Sequence, residues 1–595
     1  MSYRHIVCAG AAVCVLGFVS AGYGPGVARS QSSGAFIDPL ILNQSLCTAS
    51  DPRLSRKATF MRLGYAMAQT PDTPISGNPF SEQTLSTVGY DISTSSMEAQ
   101  AAFNRGLAYT FGFNHGAAIA AFKEAQAADP NCAMCYWGEA FALGPNINAP
   151  MDESAVEPAF AASRAAIRLI DTASPAERAL ITAVASRYGP APLADRAGLD
   201  TAFADAMETA SRSHPENDLI AVIAAEANLD TQPWVYWDAT GRTPAGRTAR
   251  TLELLEQTLA RSPDYPPAIH LYIHTTEAST DPYRAAAPAD RLAALTPELG
   301  HLVHMPSHTY FRIGRWKQSL DHNIAAVAAD EAFMASNTAS PFYEFGYYTH
   351  NVHFAMTSAQ MAGARETGLE MARLLDARLP LEVAANIPSV QPIKVAPLYA
   401  LAQFAEPDEI LALPDPGADL PFVQAAWHYA RGEAFARLGQ WADVTAAAAA
   451  IDDLAGEDLF DLTEANIPAE GILDISRLTL LARAAAANGD YETAIDHMET
   501  AVALQDGFPY MEPPFWYYPA RQTLAAMVLR SGDGERAEQV FLETLVKSPN
   551  NAYAYYGLSE AYGAQGDRRA RRYARRLYKD AWLGQRRDRP QLDQL

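Results

Sequence analysis

Cysteine is scarce, with five in 595 residues, and that excludes a fold held together by a disulfide framework. Beyond the first residues only Cys47, Cys132 and Cys135 remain. The pair Cys132-Ala133-Met134-Cys135 is followed by Tyr136 where covalent c-type haem attachment requires histidine, so no c-type haem is expected. It reads as a local disulfide or as two thiols at helical spacing, ahead of a redox or metal pair. Positive charge is also short: 45 Lys and Arg face 68 Asp and Glu, a net −23, which disfavours nucleic acid and anionic bilayers as partners. Ten of the basic residues crowd between Arg568 and Arg589. They read as the solvated face of a terminal capping helix, with a lipid-headgroup or partner patch as the alternative. Past the N-terminus there is no run of about 20 apolar residues, so no membrane-spanning segment is expected.

What the chain does have is 49 % hydrophobic residues in long Ala-, Leu- and Glu-bearing stretches with few β-branched runs, the composition of an all-α protein. Arg4 and His5 precede an apolar run from Ile6 to Val19 and then Ser20-Ala21, with a second small-residue position at Ser30. Residues 1–30 therefore read as a signal peptide, and a periplasmic location is expected. Residues 31–97 read as an N-terminal extension and linker, since 69–96 is rich in Ser, Thr, Pro and Gly and lacks an apolar period. Helical repeats are expected over 98–230, His-rich repeats over 231–375, further repeats over 376–475, and terminal repeats with the basic helix over 476–595.

The segment Phe103-Asn104-Arg105-Gly106-Leu107-Ala108-Tyr109, then Ala117 to Ala125 and Pro130, has the pattern of a tetratricopeptide repeat: small residues where two helices cross, aromatics filling holes, and a closing proline. Gly432, Gly439, Trp441 and Ala446 mark another unit, as do Ala486, Gly489, Tyr491 and Ala494. A helical hairpin cannot bury its apolar face alone, so stacking predicts a superhelical solenoid with a concave groove. Two Pro-broken aromatic inserts, Thr231 to Trp237 and Pro513 to Pro519, are read either as packing between repeats or as the lining of a pocket in that groove.

Seven of the thirteen histidines fall in three clusters within the 84 residues from His270 to His353. His270, His274 and Glu277 stand at i, i+4 and i+7, one face of a helix. His301, His304 and His308 stand at i, i+3 and i+7 and share a face unless Pro306 kinks the helix, and His350 and His353 give a shorter version. His270 to His304, His274 to His308 and Pro263 to Pro297 are each 34 residues, the tetratricopeptide period. Packed helices lie about 8–10 Å apart, so imidazoles from neighbouring repeats can meet at one ion. His301 to His350 and His304 to His353 are both 49 residues, a hairpin plus an insertion of about 15. Seven imidazoles and one carboxylate suit Cu, Zn or Fe, one or two ions per chain, better than Ca or Mg.

Gly300-His301-Leu302-Val303-His304-Met305-Pro306-Ser307-His308, with Ile273-His274-Thr275-Thr276-Glu277 upstream and Glu512-Pro513-Pro514-Phe515-Trp516-Tyr517-Tyr518-Pro519 downstream, resembles a bacterial family of exported tetratricopeptide proteins. Ala133 to Ala140 and Gly144 to Asn148 belong to the same pattern, and the likeness covers most of the chain after Glu98. It implies the solenoid, with all three clusters on first helices of hairpins facing the groove, and implies no particular reaction. From the residues two functions are expected. One is a metalloenzyme, an oxidoreductase or hydrolase, in which two sets of three histidines could hold a dinuclear copper pair, with Tyr272, Tyr310 and Arg312 near enough in sequence to orient a substrate. The other is a non-catalytic scaffold that carries metal or holds a small molecule or peptide in the groove.

Overall fold

The computed structural model describes residues 79–190, 195–337, 339–456 and 459–595. The expected signal peptide (1–30), Cys47 and the extension as far as 78 lie outside the described residues. Those described form helices throughout, with two isolated β-bridges and no strand among them.

Successive helices pair as antiparallel hairpins: Met97–Phe111 with His115–Ala128, Ala133–Ala142 with Val156–Arg168, Pro175–Ser186 with Arg196–Ser213, and Asp218–Asp230 with Thr248–Arg261. The middle of the array pairs Pro266–Glu277 with Ala286–Leu295, and Thr349–Ala362 with Arg365–Arg378. Between these, Gly300–His304 and Pro306–Arg312 together pack on Trp316–Ser336. The last hairpins are Pro421–Arg437 with Trp441–Ala455, Ala469–Ala487 with Tyr491–Asp506, Ala520–Arg530 with Gly534–Lys547, and Ala552–Ala564 with Arg568–Ala581.

The two helices of a hairpin differ as their sequences require. Pro266–Glu277 is buried at every residue, sandwiched between neighbours. Its predecessor Thr248–Arg261 buries only a stripe, Thr248, Thr251, Leu252, Leu254, Leu255 and Thr258, and leaves its charged face to solvent. Close crossings use glycine. A Cβ on Gly106 or Gly138 would stand 2.5 or 2.4 Å from the Phe122 ring, which fills the space between them. Asparagine and aspartate cap the second helices, as Asn114 does by accepting from the Ala117 amide.

Several expectations change here. The stretch 69–96, read as linker, contains the helix Glu82–Val88, whose Thr84 hydroxyl donates to Glu298 at 2.6 Å. Cys132 and Cys135 are joined by a disulfide. The insertion inferred between the second and third clusters is real: Trp316–Ser336 runs to 21 residues and a π-helical turn, Tyr343–Tyr348, leads into the next first helix. The basic helix Arg568–Ala581 buries only Ala574 and Tyr578, with Arg571 and Arg575 both paired to Glu560, which is the solvated cap expected.

The solenoid coils far enough that its end returns to its middle. Trp316 Nε1 donates to the Pro549 carbonyl at 3.0 Å, the Leu583 amide donates to the Ala362 carbonyl, and Tyr510 reaches Glu277 across 233 residues. At the first of these seams Gly314 (φ +72°) lies so close that a Cβ would stand 2.0 Å from the Pro549 oxygen, whereas Gly439 (φ +71°) faces open space. Gly439→Ala is expected to cost only the left-handed penalty of about 1–2 kcal/mol. Gly314→Ala is expected to cost distinctly more, because the seam must also part; denaturant unfolding of both variants against the parent chain measures the difference.

Candidate metal centre

All eight residues singled out from the sequence come to the interior of the coil, seven of them to one place. His270, His274 and Glu277 lie on Pro266–Glu277 and are at most 1 % exposed. His301 and His304 lie on Gly300–His304, and His308 on Pro306–Arg312. Pro306 has no amide to donate to the Leu302 carbonyl, so the helix breaks at Met305. The expected single face is thereby divided. His301 joins the first cluster, while His304 and His308 meet His350 from the half-buried start of Thr349–Ala362.

The outcome is two sets of three imidazoles, His270, His274 and His301, and His304, His308 and His350, each with ligand atoms within 4.8 Å of one another. The Nε2 atoms face inward: His270 to His301 at 3.1 Å, His304 to His308 at 2.6 Å, and His304 to His350 at 3.1 Å. A metal–nitrogen bond of about 2.0–2.1 Å puts ligand nitrogens about 2.9 Å apart at right angles and about 3.3 Å apart in a tetrahedron. Two of the observed spacings, 3.1 Å, fall between these values and the third, 2.6 Å, is shorter, so these nitrogens stand close enough to converge on an ion.

Behind three of the rings, His274, His304 and His308, the Nδ1 atoms are held. Glu277 takes His274 Nδ1 at 2.9 Å with Oε1 and His308 Nδ1 at 2.7 Å with Oε2, so one carboxylate grips a histidine of each set. His304 Nδ1 meets Asn323 Oδ1 at 2.5 Å, and the Asn323 amide is itself fixed by donating to the Ser319 carbonyl. Glu512, from the Pro-rich insert, adds a contact of 3.1 Å to His308 Nδ1, and the Tyr510 hydroxyl donates to both Glu277 and Glu512. Where Nδ1 is the N–H donor, as the contacts of His274 and His304 allow, the lone pair of Nε2 is left for the interior of the set, the arrangement by which outer partners orient metal-binding imidazoles.

Both aromatic inserts serve the site and pack as well. Trp234 stands edge-on to His274 at 5.3 Å, and Trp237 Nε1 donates to the Thr275 carbonyl. Residues 509–515 lie as a strap across the groove beside His308 and line with it a cavity of about 300 Å³, while Trp516 behind them packs edge-on to Tyr399 and Tyr429. His353 lies outside both sets; its buried ring is turned to Tyr517, 6.1 Å away. Tyr272 and Tyr310 point outward, their hydroxyls on Glu256 and Asp290. Arg312 lies over the Tyr510 ring and borders the same cavity of about 300 Å³ as His308. Asn323 carries no signal in the sequence, because its role comes from a neighbouring second helix, whereas Glu512 stands inside a motif the sequence already marked.

Burial, and then neighbouring imidazoles, hold His270, His301 and His304 well below the ordinary histidine range. Burial alone holds His353 at about 3. At His308 burial acts the same way but is outweighed by the Glu277 and Glu512 carboxylates, which lift it to about 9.

A family profile described as tetratricopeptide repeat matches residues 99–132, the first hairpin of the array. No curated protein sequence matches the chain. Among solved structures, the human IFIT1 dimer with m7Gppp-AAAA is 12 % identical, with 89 % of this chain and 99 % of that chain covered, at a TM-score of 0.31. The APC/C hetero-tetramer Cut9-Hcn1 is 13 % identical, covering 82 % and 74 %, at 0.27. The P58(IPK) TPR domain is 12 % identical, covering 57 % and 96 %, at 0.18. None of these superpositions is close enough to set a residue of those proteins on a residue of this site.

The titrations predict how the metal-free chain responds to pH. Below about pH 6.5 the unfolded chain takes up protons at His270, His301, His304 and His353 that the folded chain refuses, so stability falls with acid, by up to about 1.4 kcal/mol per pH unit for each. His308 works in the opposite sense. Its folded-state proton adds stability that is complete below about pH 6.5 and lost as pH rises through 9. Urea midpoints measured in chelator should therefore peak near neutrality, and His308→Gln should flatten the alkaline arm and, by removing a charge that disfavours protonation of His270, His301 and His304, make the acid arm shallower.

Proposed function

We propose that the chain is a metalloprotein that holds two transition-metal ions, one on His270, His274 and His301 and one on His304, His308 and His350, and works as an oxidoreductase. The observation that carries this reading is the inward convergence of Nε2 atoms in two buried sets, backed at Nδ1 by Glu277 and Asn323. Donor sets made wholly of imidazole suit copper first and zinc or iron next. Three protein ligands leave a position open on each ion. A chamber of about 20 Å³ bordered by His274, His301, His308 and His350 has room for about one water-sized molecule. Bound there, the ions would supply one-electron redox chemistry and a site for dioxygen or water.

The protein's own part is orientation and exclusion. Glu277 spends both oxygens on Nδ1 atoms, which makes it a positioning residue for both sets. Tyr510 and Glu512 keep it in place and bring the strap over the site. His353 and the hydrolytic alternative find less support, the first because its ring is turned away and the second because the donor set favours a redox-active metal. The N-terminal sequence supports export to the periplasm. A non-catalytic scaffold is the second reading, supported by the tetratricopeptide repeat at 99–132 and by a groove cavity of about 410 Å³ lined by Trp441, Trp516, Arg437 and Arg483.

Elemental analysis tests the main reading. About two ions per chain are expected, falling to about one in His270→Ala and about one in His350→Ala. Less than about 0.2 ion per chain in the parent protein would exclude a metal centre. An absorption spectrum that changes with dioxygen supports the oxidoreductase; a loaded protein indifferent to dioxygen leaves the scaffold.

A further inference from the structure

Left-handed backbone is rare away from glycine and asparagine, and here it is concentrated at the first histidine set. The described non-glycine residues with positive φ are Phe113, Trp234, Asn466 and Asn550. Both aromatic members touch that set. Phe113 lies 4.6 Å from His270 and stacks on His301 at 4.8 Å, and Trp234 lies 5.3 Å from His274.

The position of Phe113 makes the choice of residue informative. It ends the helix Met97–Phe111 in a turn closed by a bond from the Asn114 amide back to the Tyr109 carbonyl. Six other turns close with the same bond and carry glycine at that place, Gly314, Gly363, Gly439, Gly489, Gly532 and Gly566, and another carries Asn466. The left-handed cap is a glycine position by its sterics. Phenylalanine there is strained, and strain of this kind persists where the surroundings use the side chain.

On its other face Phe113 borders a cavity of about 200 Å³, shared with His115, Ile119, Leu143, Asn146 and Phe342. Phe342 also borders the small chamber between the histidine sets, so its ring lies between the two spaces, while Phe113 lies between the larger cavity and the rings of His270 and His301. The charged groups on the larger cavity, Lys123, Glu139 and Asp152, sum to −1, and Lys123 and Glu139 face each other at 4.0 Å. His115 and Asn146, 3.3 Å apart, provide uncharged hydrogen-bonding groups beside the rings of Phe113 and Phe342 and the aliphatic Ile119 and Leu143, on a wall that also carries Ser154 and Ser340. Burial holds His115 down to about 4, so its ring is neutral near pH 7. This is a lining for an uncharged molecule with a flat apolar body and one hydroxyl.

We infer that this cavity is the entry chamber to the His270, His274 and His301 set and takes a small neutral aromatic alcohol, with Phe113 as the ring that parts it from the imidazoles. Its connection to chemistry rests on the metal reading above; the binding itself does not. Phe113 parts this cavity from the first set, while on the other side His308 borders a separate cavity of about 300 Å³ lined also by the strap.

Phenol is the probe. Equilibrium dialysis against the metal-free protein should show about one phenol bound per chain, with benzoate at least about tenfold weaker because the one cation on the cavity, Lys123, is already paired with Glu139 and the lining carries a net negative charge. Ala149→Phe, which fills the half-exposed mouth of the cavity, should abolish phenol binding. On the copper-loaded protein, Phe113→Gly, which keeps the turn, and Phe113→Ala should each speed copper removal by a chelator about tenfold or more. Absence of phenol binding, equal binding of benzoate, or unchanged binding in Ala149→Phe would overturn the chamber. An unchanged removal rate in both Phe113 variants would overturn the role of the ring. If the chain takes up no copper, the metal reading falls and phenol binding to the metal-free protein decides the chamber alone.

Discussion

Six imidazoles turned inward in an interior closed to water impose the constraint on which the rest of the structure depends. Nitrogen lone pairs about 3 Å apart repel one another unless a proton or a cation lies between them, and a low-dielectric surrounding strengthens that repulsion. Three of the rings, His274, His304 and His308, are gripped from behind at Nδ1. Glu277 does this for one ring of each set, and because its two oxygens point to different helices it also couples the two sets mechanically. Asn323 does the same for His304 from a second helix, with its own amide anchored to a backbone carbonyl.

A repeat array is an economical way to assemble such a centre, since equivalent positions on adjacent first helices already face the same groove. What the repeat does not supply is cover. Here cover comes from departures from the repeat: the turn residue Phe113, the insert bearing Trp234 and Trp237, the π-helical turn at Tyr343–Tyr348, and the strap that carries Tyr510 and Glu512. Each departure interrupts a regular hairpin, and each is directed at the same few imidazoles. The irregularity of the array and the site are therefore one feature.

This explains what could be read from the sequence and what could not. Helical hairpins, the 34-residue spacing and the shared face of His270, His274 and Glu277 are local or periodic properties, and they are found where the spacing puts them. The division of the middle cluster was not legible, although Pro306 marked the place, because which ring turns to which partner is decided by the neighbouring helices. Burial was not legible either. The sequence left a buried site and an exposed one both open, and the residues that cover Glu277 lie as much as 233 positions away from it. Asn323 and Phe113 show the same limit from opposite sides. One is an unremarked polar residue made important by its neighbour, and the other becomes conspicuous only against the glycines of the other turns.

The strap that covers the second set belongs to the last sixth of the chain, and a chain is synthesised from its N-terminus. Every histidine of both sets is therefore made, and its helix can form, before Tyr510 and Glu512 exist to cover it. Assembly of the centre accordingly has an order written into it: an unlidded stage in which the imidazoles can be reached from the groove, and a later stage in which docking of the terminal repeats seals them. An ion acquired in the first stage would be retained by the second without any further change in its ligands.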